Sequence, residues 1–131
     1  MAVSRFVTPF GTVFRSDRCK DDYKNLVTWG RAAKRATLQR PAMLTYKAAQ
    51  LVTGGFRITG SLRTCEFQRD KFKEDPDRFA HPNVGVHTQG LAIDVHTGDL
   101  NGLIRRTLLL LGWKQTRPDD EPWHFSFRVK A

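Results

Sequence analysis

Helical and two-residue periods of apolar positions alternate irregularly along this chain, with glycine and proline marking the joins. Ser16 or Asp17 fits the cap of a helix running to about Lys34, in which Leu26, Val27, Gly30 and Ala33 give a modest apolar stripe. Pro41 opens a second helix; Leu44, Ala48, Leu51 and Val52 recur on one face, which is expected to pack on a sheet, and Gly54 and Gly55 stop it. Phe56 to Thr59 alternates like a half-buried strand, and Cys65 to Lys73 reads as a short helix ending before Asp75-Pro76. A loop follows to Gly85. Leu91 to Val95 is a strand candidate, Leu100 to Leu111 a strongly apolar helix ending at Gly112, and Trp113 to Gln115 and Trp123 to Val129 are extended. In the last segment Trp123, Phe125, Phe127 and Val129 share one face and His124, Ser126 and Arg128 the other. The irregular alternation predicts an α+β fold with a small antiparallel sheet and flanking helices.

With 131 residues, the chain has room for one domain, residues 1–53 serving as a helical support and 54–131 carrying the motifs. No stretch approaches the roughly 18 apolar residues of a membrane span. Met1 to Phe14 lacks the apolar run of a secretory leader, so work outside a cell needs phage delivery, holin release or another export route. The formal net charge is +9, from 22 Lys and Arg against 13 Asp and Glu, and it is heaviest near Arg31, Lys34, Arg35 and Arg40. Such a charge attracts polyanions without choosing among nucleic acid, anionic membrane and phosphate-rich wall. No basic motif interleaved with aromatics argues for specific nucleic-acid binding. Cys19 and Cys65 are too few for a thiolate metal site; they read first as buried thiols, with a single disulfide as the alternative. No heptad or long apolar edge argues for assembly, which predicts a monomer.

The chemistry lies in two short segments, His87-Thr-Gln-Gly-Leu-Ala-Ile-Asp94 and Glu121-Pro-Trp-His124. Asp94 interrupts an apolar strand, and a buried carboxylate needs a cation, several donors or a metal. Gly90 lets the backbone turn so that His87 folds back over Asp94. A lone histidine is usually a surface or hydrogen-bonded residue, and His81 and His96 keep that reading, His96 with a place beside the ligands as its alternative. Together, His87, Asp94 and His124 make a three-ligand set of the open, catalytic zinc type, whose fourth position takes water. Glu121 is placed to act as general base, against the plainer reading of an acidic turn with Asp119 and Asp120. No His-Glu-x-x-His helix occurs.

These residues resemble the signature of the zinc D-alanyl-D-alanine carboxypeptidases and L-alanyl-D-glutamate endopeptidases of bacteria and phages, the VanY-like and endolysin-type peptidases. That signature reads Ser-x-His-x-x-Gly-x-Ala-x-Asp and then Glu-x-x-His; the chain has His87-x-x-Gly90-x-Ala92-x-Asp94 and Glu121-x-Trp123-His124. Gly60-Ser61-Leu62-Arg63-Thr64 with Gln68 is similar to the family's Gly-Tyr-Arg-Ser and trailing Gln. The likeness covers roughly Phe56 to Phe127 and departs at Gly85, where the family has Ser, and at Leu62, where an aromatic is common. It implies a fold like that of the hedgehog and D-Ala-D-Ala peptidase domains. It also implies Zn²⁺ on His87, Asp94 and His124, Glu121 as base, Arg63 at the oxyanion, and Arg63, Gln68 and Trp123 at the substrate. The expected activity is hydrolysis of amide bonds in peptidoglycan peptides at the bacterial wall, in phage lysis or wall remodelling. The basic surface would meet anionic wall polymer. The rival reading is a catalytically silent zinc-stabilised module that binds wall polymer or a protein partner.

Overall fold

The computed structural model describes residues 3–81 and 86–127. Two antiparallel hairpins come first: β1 (Val3–Thr8) with β2 (Gly11–Ser16), and β3 (Leu26–Trp29) with β4 (Ala36–Gln39). Helix α1 (Arg40–Thr53) follows, then β5 (Ile58–Gly60), α2 (Cys65–Glu74), β6 (Ala92–Val95), α3 (Gly102–Leu110), β7 (Trp113–Lys114) and β8 (His124–Phe127). The last four strands form an antiparallel sheet in the order β5-β6-β8-β7. The class is α+β, as the alternation of periods predicts. Among the described residues no helix is long and apolar enough to cross a membrane.

The predicted helix from Ser16 or Asp17 to Lys34 does not form. Ser16 ends β2, and its Oγ accepts from the Arg18 amide at 3.2 Å, so the hydroxyl closes a local turn rather than capping a helix. Beyond it, Val27, Thr28 and Trp29 belong to residue types that fit a pleated surface. They pair with β4, where the Thr28 and Thr37 hydroxyls meet at 2.8 Å. Gly30 has φ +100°, and a Cβ there would lie 2.7 Å from the Lys34 carbonyl oxygen, so only glycine allows this turn. The support expected to be helical over residues 1–53 is therefore, among its described residues, built mainly of two hairpins and one α-helix.

Helix α1 forms where Pro41 and Gly54 predict, with Gly54 in the left-handed cap at φ +82°. The face it buries is another matter. Leu44, Leu51 and Val52 are 50%, 79% and 68% exposed, whereas Met43, Thr45, Tyr46, Ala49 and Gln50 face the core. Hydrogen bonds decide this. The Tyr46 hydroxyl donates to the Lys34 carbonyl at 2.6 Å, and its ring meets Trp29 and Phe56 edge-on. The Gln50 amide donates to the Phe56 carbonyl and accepts from the Phe56 amide, both at 2.8 Å. Trp113 Nε1 donates to Thr45 Oγ1 at 2.8 Å. Polar groups with such partners are cheap to bury, and the large Tyr46 ring outweighs the leucines.

The other elements follow the pattern closely. Helix α2 is capped by Thr64, whose Oγ1 accepts from the Phe67 amide, and α3 by Asn101, whose Oδ1 accepts from Ile104. Strand β8 buries Phe125 and Phe127. The part of its expected run at Arg128 and Val129 lies outside the described residues, as does the stretch from Pro82 to Gly85 in the predicted loop. One cluster of buried apolar side chains joins Val13 and Leu38 of the hairpins to Tyr46, Ile93, Leu108 and Phe125. Cys19 and Cys65 are bonded to each other, which settles the reading of two free thiols in favour of the disulfide and ties the loop after β2 to the start of α2.

Candidate metal centre

His87 opens a single 3-10 turn, His87–Gln89, closed by Gly90 at φ +69°. A Cβ on Gly90 would come within 2.7 Å of Leu26 and 3.2 Å of the Gln39 amide, so the chain can pass here only as glycine. The turn is clamped by β4. Gln39, fully buried, donates through Nε2 to the carbonyls of Gln89 at 2.8 Å and Phe14 at 2.6 Å, and its amide donates to the Gly90 carbonyl at 2.9 Å. Arg15 Nε donates to Gln89 Oε1 at 3.1 Å. Neither Gln39 nor Arg15 carries a motif; the cue, faint in hindsight, is a polar Gln ending an apolar strand.

Asp94 and His124 face each other across β6 and β8, as partners in the register. His87 Nε2 and His124 Nδ1 lie 3.2 and 2.9 Å from Asp94 Oδ1, and 3.2 Å from each other. The outer atoms are all engaged. His87 Nδ1 meets the Ser61 carbonyl at 2.8 Å, His124 Nε2 meets Ser126 Oγ at 3.2 Å, and Arg63 Nη2 donates to Asp94 Oδ2 at 2.8 Å. Because a carbonyl only accepts, neutral His87 keeps its proton on Nδ1 and turns a bare Nε2 inward. This is how partners beyond the ligands orient a metal-binding imidazole.

Two ring nitrogens and one carboxylate oxygen at these separations can share a single cation. The triangle with sides of 2.9, 3.2 and 3.2 Å has its centre about 1.8 Å from each corner. That is short enough for all three atoms to share one ion at roughly the 2.0–2.2 Å of zinc bonds to imidazole and carboxylate. His87, Asp94 and His124 are thus a group that fits a divalent metal. Burial pushes the Asp94 carboxyl upward, but its contacts with the His124 and His87 rings and the nearby charge of Arg63 hold it well below the usual carboxylate range.

The group opens into a cleft of about 190 Å³ whose walls include Arg63, Gln68, Glu121 and Trp123. All the residues proposed from the motifs are brought together here. Arg63 is tethered by its amide to the His87 carbonyl at 3.1 Å, and its guanidinium is spent partly on Asp94. The Glu121 carboxylate is held by Arg117 at 3.2 Å, a partner the motif does not reveal. Trp123 lines the same cleft as His124, not the opposite face as strand alternation predicts, because β8 begins only at His124. His96 lies past the end of β6, where its Nδ1 accepts from the Gly98 amide at 3.0 Å, and His81 is exposed against the Phe72 ring. Neither belongs to the centre.

No protein-family profile matches the chain, and no curated protein does. Solved structures do. The structure described as revealing the molecular basis of peptidoglycan recognition by the LdcB LD-carboxypeptidase matches with a TM-score of 0.57 at 16% identity, over 83% of this chain and 70% of that one. The vancomycin-resistance D,D-dipeptidase VanXYg, bound to a D-Ala-D-Ala phosphinate analogue, matches at 0.59 and 19%, over 84% of this chain and 58% of that one. The chain shares their fold. It spans somewhat more than half the length of the second.

Proposed function

We propose that the protein is a zinc-dependent peptidase that hydrolyses amide bonds in peptidoglycan peptides, as a D,D-carboxypeptidase or an endopeptidase of the L-alanyl-D-glutamate type. The observation that carries the reading is the convergence, in one cleft, of three inward metal donors with a separate carboxylate and a guanidinium. The fold shared with an LD-carboxypeptidase that recognises peptidoglycan and with a D,D-dipeptidase supports it. His87, Asp94 and His124 would hold the ion. When bound there, zinc supplies a water with its pKa lowered to about 7 and an electrophile for the scissile carbonyl. Glu121 takes the proton of the attacking water at its carboxylate and returns it to the departing amine. Arg63, with donors to spare beyond Asp94, faces the negative charge that grows on the carbonyl oxygen. Gln68 and Trp123 hold the peptide on the cleft walls. Action at the bacterial wall follows from the substrate.

Glu121→Gln tests the reading. The variant should keep one zinc per chain and lose roughly 10²- to 10⁴-fold in cleavage of wall peptides, scored by newly released amino groups. Undiminished turnover would end the mechanism. The ion pair of Arg117 with Glu121 favours one rival, a silent module in which that carboxylate is structural and the basic surface grips anionic wall polymer. Zinc-dependent binding to purified wall without release of amino groups would establish the rival.

A further inference from the structure

Three arginines line the cleft, and their charges are balanced unequally. Arg63 is paired with Asp94 at 2.8 Å, and Arg117 with Asp120 at 2.9 Å and Glu121 at 3.2 Å. Arg78 is in no ion pair among the described residues. Its guanidinium carbon lies 5.4 Å from the centroid of the Phe79 ring, a cation–π contact that uses none of its N–H donors. Asp75 and Asp77 border the adjoining trough with Arg78 but do not reach ion-pairing distance of it.

The same wall has an acceptor lacking a donor. Gln68 is 3% exposed, and its Nε2 is used on the Ala80 carbonyl at 2.7 Å, but among the described residues its Oε1 has no hydrogen-bond partner. A buried acceptor left without a donor is costly and invites one from a ligand. An N–H for Gln68 together with an anion for Arg78 describes a peptide with a free carboxylate close to one of its amides. A phosphate or a neutral glycan supplies only one of the two.

We propose that Arg78 is the specificity residue of this cleft and selects peptides carrying a free carboxylate over the same peptides with that carboxylate amidated. The inference rests on the peptidase reading for its choice of a peptide ligand. Arg78 does not touch the reacting atoms; it fixes which peptide dwells beside them. A planar guanidinium gives a carboxylate two parallel hydrogen bonds, and a carboxamide loses both the charge and one of the acceptors.

The test uses synthetic stem peptides containing D-Glu and a C-terminal D-Ala, each carboxylate amidated in turn, with the zinc-loaded chain. Discrimination is read as the ratio of kcat/KM for peptides that are cut, and as the ratio of dissociation constants by calorimetry for peptides that are not. One amidation should cost the unaltered protein roughly 10- to 100-fold. Arg78→Gln should bring that ratio close to 1, and Arg78→Lys should retain part of it. Arg117→Gln should leave the ratio in place. Indifference of the unaltered chain to every amidation overturns the proposal, as does a ratio that survives Arg78→Gln, or an absence of both cleavage and binding. Discriminating binding without cleavage would sink the peptidase reading and leave the carboxylate site standing.

Discussion

Residues 3–53 and residues 54–127 differ in where their partners lie. The first stretch pairs strands that are neighbours in sequence, β1 with β2 and β3 with β4, and supplies none of the three inward donor atoms. The second builds its sheet from strands out of sequence order and brings His87, Asp94 and His124 together across it. Yet the turn that bears His87 is clamped from the first stretch, by Gln39 and Arg15. A ligand set can thus sit on one part of a chain while its precision comes from another.

Removal of a donor atom should have the largest effect. His87→Ala or His124→Ala should cost more zinc affinity than the roughly 10- to 100-fold typical of a lost supporting partner, with the hairpins intact. Metal content by mass spectrometry and far-ultraviolet dichroism check both halves of that statement. Equal zinc content in the variants would remove the metal centre.

Next in size is the disulfide, the covalent tie between the two stretches. It closes a loop of 46 residues, worth about 4 kcal/mol in the loop-entropy account. Urea unfolding with and without reductant should show a loss of that order. An unchanged midpoint would mean that the loop after β2 is already held by other contacts, such as the Asp21 carboxylate that accepts from the Cys65 amide at 2.9 Å.

Gln39→Leu separates support from chemistry. It strands the carbonyls of Phe14 and Gln89 in a buried place and should cost about 3 kcal/mol of stability. Zinc affinity should fall with it, because the His87 turn loses its clamp. A destabilised variant with undiminished affinity would show that the turn holds its shape unaided. The smallest effect concerns α1. Leu51→Lys should change stability by less than about 0.5 kcal/mol, whereas Met43→Ala should cost about 2–5 kcal/mol. The reverse order in thermal unfolding would restore the face predicted from helical spacing.

Those outcomes also mark what the sequence makes legible. The donor set is readable because the chemistry is written into few residues: a carboxylate among apolar neighbours in β6, a glycine that permits the turn, and a Glu three residues ahead of a His. Helices α2 and α3 are readable from the turn signals at their ends, Asp75-Pro76 and Gly112, whereas the cap of α3, Asn101, falls inside the run expected from Leu100. The segment from Ser16 to Lys34 misleads because its apolar residues fit a helix equally well, and the choice falls to the partner strand β4, which no local period reveals. The buried face of α1 misleads for a related reason. A count of leucines ignores that Tyr46, Thr45 and Gln50 find carbonyls, an amide and an indole to bond with in the core. Arg117 against Glu121, and Gln39 beneath the His87 turn, are contacts of side chains without a motif.

The two imidazoles of the centre present different atoms inward: the distal nitrogen at 87 and the proximal one at 124. Each backbone site is therefore tuned to a length of arm as well as to a kind of atom. A long amide such as Gln would match the reach required at 87, and a short one such as Asn the reach at 124, while swapping them would leave one donor overshooting and the other falling short.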